Sequence, residues 1–188
     1  MTATRFSFSP TSLDGLTVVW RKAIEDERGF LCRVYCSDEF RDVGLTKDIV
    51  QINHTLTRIQ GAVRGLHYQC PPHCETKIVN CLRGEIFDVA VDLRQGSPTF
   101  LRWYGEILSA DNRKSLLIPE GFAHGFQTLT SDCELLYFHT AAYAPGAEGG
   151  LHVLDPHLAI VWPLPVEQLS NRDQGYAFVD SRFRGICI

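Results

Sequence analysis

Apolar side chains in this chain recur mostly at every second residue, and long helical periodicity is missing. From Ile78 to Leu93 two apolar runs flank Arg83-Gly84, a pattern that predicts a tight hairpin turn. In the second run Glu85, Phe87, Val89, Val91 and Leu93 share one face, and Ile86, Asp88, Ala90 and Asp92 share the other. Thr99 to Leu108 and Leu135 to Thr140 read as further strands, rich in aromatic and β-branched residues. Helix signals are short. Ser37 is placed to cap a helix running toward Gly44, and Ser109 to cap another across Ala110–Lys114. Ser170-x-x-Asp173 has the capping-box pattern ahead of a C-terminal helix. Many short strands with Gly/Pro turns predict an all-β fold, a barrel or jelly roll with a few short peripheral helices.

The length of 188 residues suits one domain over 1–188, with no repeat or linker to divide it. A net charge of −4 with no basic stretch argues against nucleic acid as a partner. No apolar run approaches the length of a membrane span and the N-terminus has no signal-peptide pattern, so the expected compartment is the cytoplasm. The seven cysteines are odd in number and form no Cys-x-x-Cys pair. Cys32/Cys36 and Cys70/Cys74 leave zinc or disulfide pairing open, but the simpler reading is reduced cysteine used as small apolar filler.

Chemistry-bearing residues concentrate around His67. Arg64 precedes it, Gln69 follows, Lys77 comes after a Pro-Pro turn, and a second histidine closes Pro119-Glu120-Gly121-Phe122-Ala123-His124. Strand alternation puts His67 and Gln69 on one face. His67, Lys77, Tyr137 and Asp173 would supply a base, a cation, an acid and an orienting carboxylate. That set suits removal of a proton beside a carbonyl and its return from the opposite face. A C–H bond beside a ketone yields to imidazole only if the developing enolate is stabilised, which a cation aimed at the oxyanion does. Spacing alone leaves other readings open: His67 as a structural histidine, Asp173 as the acid of the capping box, Lys77 as a solvated strand-edge charge, Tyr137 as a barrel aromatic. His54, His73, His139, His152 and His157 carry no specific signal. A metal reading also stands, since His67, Gln69 and Glu75 followed by Pro-x-Gly-x-x-His ending at His124 is similar to the two-part metal signature of cupins. Gln69 replaces the second histidine of that signature, which weakens such a site.

Further segments bring the chain to a family. They are Asp26-Glu27-Arg28-Gly29-Phe30, Gln51-Ile52-Asn53-His54, Arg64-Gly65-Leu66-His67-Tyr68-Gln69 and Asp88-Val89-Ala90-Val91-Asp92-Leu93-Arg94. Ser97-Pro98-Thr99-Phe100, Ile118-Pro119-Glu120-Gly121-Phe122-Ala123-His124-Gly125-Phe126, Tyr143-Ala144-Pro145 and Leu169-Ser170-Asn171-Arg172-Asp173 follow in order. In combination the chain resembles the dTDP-4-dehydrorhamnose 3,5-epimerases, from about Leu16 to Asp173. The resemblance implies a cupin-type jelly-roll barrel, no cofactor, no bound metal, and a nucleotide-diphosphate sugar as substrate. It assigns His67 as base with Asp173 behind it, which overrides the capping-only reading of that carboxylate. It makes Lys77 the enolate stabiliser and Tyr137 the proton donor. Substrate contacts would come from Arg28, Phe30, Arg33, Gln51, Asn53, Arg64, His124, Tyr143, Glu148 and Arg172, with Tyr143 stacking on the base.

The resemblance further implies a homodimer in which the strand carrying Arg28 and Phe30 reaches into the neighbouring subunit's site. One departure matters. Family members commonly read Arg-Gly-Phe-Phe-Phe-Glu where this chain reads Arg28-Gly29-Phe30-Leu31-Cys32-Arg33. The charge reversal at Arg33 leaves the nucleotide base open to CDP- or GDP-linked sugars, and inversion of C3 or C5 alone is a second open point.

Overall fold

A computed structural model describes residues 4–188. The strands, in chain order, are β1 (Phe6–Pro10), β2 (Thr17–Arg21), β3 (Ala23–Asp26), β4 (Gly29–Cys32), β5 (Gln51–Thr57), β6 (Val63–Gln69) and β7 (Lys77–Arg83). They continue with β8 (Glu85–Asp92), β9 (Trp103–Ser109), β10 (Lys114–Ile118), β11 (Phe122–Thr128), β12 (Cys133–His139) and β13 (Glu148–Gly150). Two short helices, α1 (Ser37–Arg41) and α2 (Asn171–Gln174), lie at the periphery. The order β1-β2-β10-β7-β12-β5 forms one sheet and β13-β6-β11-β8-β9 the other, with β3-β4 as a separate hairpin. The sheets face each other as an antiparallel jelly roll of the cupin type.

Alternation along the strands divides the apolar side chains into three layers. Val79, Ile86, Ala90, Leu116, Phe126 and Leu135 meet between the sheets. The opposite face of β8, carrying Val89 and Val91, packs with Val63 and Leu66 against the C-terminal segment through Leu151, Leu158 and Ile186. On the far side of the larger sheet, Phe6, Val19, Ile78 and Phe138 close over Phe40 of α1. The face assignment read from sequence for residues 85 to 93 therefore holds.

The hairpin expected at Arg83-Gly84 does not form. β7 pairs with β10 and β12, whereas β8 pairs with β11 and β9, so Gly84 carries the chain from one sheet to the other. Gly84 has φ of +75°, and a Cβ there would fall 2.6 Å from Thr130 Oγ1 and 2.8 Å from Cys133 Sγ. Two apolar runs about a glycine look alike whether they pair with each other or cross between sheets, and non-local partners decide. The helix expected at Ser109 is a clasped turn instead. Ser109 Oγ accepts the Asn112 N–H (3.0 Å), while Asn112 Oδ1 accepts the N–H groups of Ser109 (3.1 Å) and Lys114 (2.9 Å). α1 is capped at Cys36 without a side-chain hydrogen bond rather than by Ser37, and it stops short of Gly44. Residues 99–102 form the turn before β9, so that strand starts later than expected. All seven cysteines are free. Burial pushes the Cys81 thiol up to about 12, in keeping with inert core filler.

The end of β8 is tied down by a buried carboxylate. Asp92 accepts from Arg94 Nη2 (2.8 Å) and Nε (2.9 Å), Ser97 Oγ (2.6 Å) and Thr99 Oγ1 (2.6 Å). Burial opposes its charge, but the Arg94, Ser97 and Thr99 hydrogen bonds outweigh it and hold the carboxyl at about 2. A depressed carboxylate contributes stability above its unfolded value, and that contribution fades as pH falls toward the folded value. Asp92→Asn should therefore cost about 2 kcal/mol at pH 7. Denaturant unfolding of both proteins at pH 7 and pH 3 should show the gap narrowing in acid.

Candidate active site

One end of the barrel opens into a cleft of about 310 Å³ between the sheets. The smaller sheet contributes Arg64, His67 and His124, and the larger sheet Gln51, Asn53, Lys77, Tyr137 and His139. Strict alternation would put Arg64 and His67 on opposite faces of β6. A bulge brings them together: His124 lies opposite His67 and Phe126 opposite Arg64, so β6 carries one extra residue between these pairs. The bulge needs Gly65, because a Cβ at its φ of +136° would lie 2.5 Å from the Gly125 Cα.

His67 Nε2 lies 2.7 Å from Asp173 Oδ1, and the Asp173 side chain is 3% exposed. Ser170 Oγ accepts the Asp173 N–H (3.1 Å) and starts α2. This is half of the expected capping box, since the Asp173 carboxylate turns away to His67 and to the Gly65 N–H (3.4 Å). Burial opposes ionisation of Asp173, but the His67 hydrogen bond and charge, with Gly65, prevail and keep its carboxyl below the usual range. An ionised Asp173 accepts the hydrogen bond of Nε2–H, which leaves the other ring nitrogen with a lone pair.

Across the cleft Tyr137 sits between two imidazoles, with ring centroids 6.0 Å from His124 and 6.2 Å from His139. Burial pushes its phenol far above the usual tyrosine range, so it stays protonated and able to donate. Lys77 Nζ lies 3.1 Å from Glu75 Oε1, and Glu75 Oε2 is 2.7 Å from His139 Nδ1. Burial disfavours the Glu75 charge, but His139 and Lys77 outweigh it and hold the carboxyl below its ordinary range. His124 Nε2 is 2.7 Å from the buried Asp88. Burial raises the Asp88 carboxyl, opposed by His124 and Lys77.

At the mouth, Tyr143 donates its hydroxyl to Glu148 (2.9 Å), and Arg172 donates to Glu148 (3.1 Å). Gln51 Oε1 accepts the Tyr143 N–H (2.9 Å). Gln69, on the face of His67 as expected, holds the loop carrying Tyr143: its amide donates to the His73 and Ala142 carbonyls and accepts from the Ala144 N–H. Among the described residues no cluster of three or more His, Cys, Asp or Glu side chains is arranged to hold a metal ion, so the cupin-like signature does not converge on one.

The structure thus brings His67, Lys77, Tyr137, Gln51, Asn53, Arg64, His124, Tyr143, Glu148 and Arg172 to one cleft, with Asp173 directly behind His67. Arg28, Phe30 and Arg33 lie elsewhere in the same chain. Arg28 and Phe30 are on the β3–β4 hairpin, and Arg33 follows it in an ion pair with Glu39 of α1 (3.1 Å). Sequence reasoning missed His139, and it weighed Glu75 only as a metal ligand. The signal for His139 was available, because it follows Tyr137 by two residues on one strand and must share its face.

A cupin-type barrel whose cleft sets an imidazole on a carboxylate, with a lysine and a buried phenol opposite, defines an isomerase working by acid–base chemistry. The sequence profile described as dTDP-4-dehydrorhamnose 3,5-epimerase matches residues 10–180. A dTDP-4-dehydrorhamnose 3,5-epimerase of Shigella flexneri is 41% identical over 175 residues, covering 92% of this chain and 96% of that protein. A dTDP-4-dehydrorhamnose 3-epimerase of Streptomyces niveus is 37% identical over 166 residues, covering 88% of this chain and 80% of its own length. Among solved structures, a dTDP-6-deoxy-D-glucose-3,5-epimerase from Legionella pneumophila in complex with dTDP-4-keto-L-rhamnose superposes with a TM-score of 0.90 at 40% identity, over 96% of this chain and 98% of that one. The chain belongs to the dTDP-4-dehydrorhamnose 3,5-epimerase family. Among the described residues no helix is long and apolar enough to cross a membrane.

Proposed function

We propose that this chain, a single domain over residues 1–188, inverts C3 and C5 of a dTDP-linked 4-keto-6-deoxyhexose in the cytoplasm, giving dTDP-4-dehydrorhamnose without a cofactor. The observation that carries the reading is the 2.7 Å His67–Asp173 contact on one sheet wall, facing Lys77 and Tyr137 on the other. Asp173 holds the ring so that its free nitrogen accepts a proton from C5 and, after the sugar ring adjusts, from C3. Lys77 stabilises the negative charge that collects on the C4 oxygen. Tyr137, kept protonated by burial, returns a proton from the opposite face, so each cycle inverts a centre.

Arg64, Gln51, Asn53, His124, Tyr143, Glu148 and Arg172 contact the sugar, diphosphate and base, with Tyr143 as the stacking aromatic. Two copies form a homodimer in which the β3–β4 hairpin delivers Arg28, Phe30 and Arg33 to the partner's cleft. The exposure of Phe30 (63%) and Leu31 (71%), both absent from their own cleft, supports that arrangement. The test is proton exchange in deuterated water with dTDP-4-keto-6-deoxyglucose, followed by NMR. Deuterium at both C3 and C5 is expected. Uptake at one position alone would replace double by single epimerisation, and no uptake with any nucleotide-linked 4-keto sugar would refute the assignment.

A further inference from the structure

We propose that Glu75 and His139 are positioning residues that hold the Lys77 ammonium at the cleft wall where it meets the ligand oxygen; the inference rests on the epimerase reading above. Lysine is a point charge on a flexible four-carbon stem, so its placement must come from partners rather than from its own geometry. Lys77 opens β7 directly opposite His139 on β12, and one carboxylate joins the two. Glu75, in the loop just before β7, gives Oε1 to Lys77 at 3.1 Å and Oε2 to His139 Nδ1 at 2.7 Å. All three side chains are at most 10% exposed, so solvent screens these contacts little.

The surroundings also settle which form of His139 fits. Gln51 Nε2 donates to Asn53 Oδ1 (3.3 Å), which turns the Asn53 amide nitrogen toward His139 Nε2 at 3.4 Å. An amide NH₂ can only donate, so Nε2 is the acceptor and Nδ1 carries the proton given to Glu75. A doubly protonated ring would set N–H against N–H at Asn53. His139 then donates through Nδ1 and occupies half of the Glu75 carboxylate. Lys77 is anchored by the other half, which leaves its remaining N–H groups for a ligand. The polar contacts run unbroken from Tyr143 at the mouth through Gln51, Asn53, His139 and Glu75 to Lys77. The other carboxylate acting on Lys77 is Asp88 on the facing sheet, already engaged by His124, and the Tyr137 phenol beside His139 is uncharged.

The test compares wild type with His139→Ala, His139→Asn and Glu75→Gln, measuring turnover of dTDP-4-keto-6-deoxyglucose and calorimetric binding of dTDP. Asparagine places an amide N–H near the Nδ1 position and keeps the donor to Glu75. His139→Ala should lower kcat roughly 10- to 100-fold, as misplacement of a charged group does, with KM and dTDP affinity within about twofold. Glu75→Gln should lose at least as much kcat, and His139→Asn should recover most of it. A second readout needs no turnover: Lys77 acetylation by trace acetic anhydride, read by mass spectrometry, should speed several-fold in His139→Ala and Glu75→Gln but not in His139→Asn. Wild-type kcat in His139→Ala, an asparagine variant no better than alanine, or Lys77 labelling unchanged in all three variants would overturn the inference. Lack of turnover by the wild type would instead strike the epimerase reading, and the labelling result would still decide the role of Glu75 and His139.

Discussion

His67→Ala is expected to reduce kcat for the 4-keto sugar nucleotide by about 10³-fold, near the middle of what a positioned general base contributes. That is roughly 4 kcal/mol of transition-state stabilisation. In the proposed mechanism Asp173 is held ionised behind His67, so a proton arriving on the ring gains a buried counter-charge 2.7 Å away. Binding should survive the change. The nucleotide-holding roles fall to Gln51, Tyr143, Glu148 and Arg172 rather than to His67, so dTDP affinity should stay within a few-fold of wild type. A variant that keeps both turnover and deuterium uptake would show that His67 is structural. A variant that loses dTDP binding as well would place His67 in binding rather than chemistry.

Lys77→Met carries the second large effect, and it should appear in two measurements. Without a cation at the developing enolate, kcat should fall by about 10²–10³, the usual result of removing one donor from an oxyanion site. Stability should fall too, because Glu75 loses one of two partners while 9% exposed. Breaking a buried pair this way costs about 3 kcal/mol at neutral pH. The sign of the pH dependence follows from Glu75. Its folded value lies below the ordinary 4.5, so the stability it supplies is present above that value and is lost as pH falls through the folded one. The deficit of Lys77→Met should therefore be full at pH 7 and shrink below about pH 4.5, as acid neutralises the stranded carboxylate. Chemical denaturation of both proteins across that range measures it. A deficit that does not vary with pH would mean the Lys77–Glu75 pair contributes packing rather than charge.

How much of this was readable beforehand differs by residue. The two faces of β8 were readable because alternation is a property of the strand alone, and Val89 and Val91 point away from Ile86 and Ala90 in any sheet. The Gly84 crossover was not, because its local pattern equals that of a hairpin and only β10 and β12 beside β7 exclude it. His67 and Gln69 share a face as alternation requires, since no register shift separates them, and Gln69 spends its amide on the loop at Ala142 and Ala144. The bulge at Gly65 was not readable, and it is what brings Arg64 into the cleft beside His67. The capping reading of Asp173 and the catalytic one proved compatible. Its backbone N–H serves Ser170, and its carboxylate serves His67.

The amino-acid sequence alone determined the strand-rich fold, the family, and most of the residues that meet in the cleft. Those depend on side-chain type, spacing and order, which are local. Only the tertiary structure decided that a single carboxylate, Glu75, joins Lys77 to His139, and that Arg28, Phe30 and Arg33 lie away from their own chain's cleft. These are distances between residues far apart in the chain or on separate elements. They are set by which sheet edges meet and by a one-residue bulge, neither of which leaves a periodic trace along the chain.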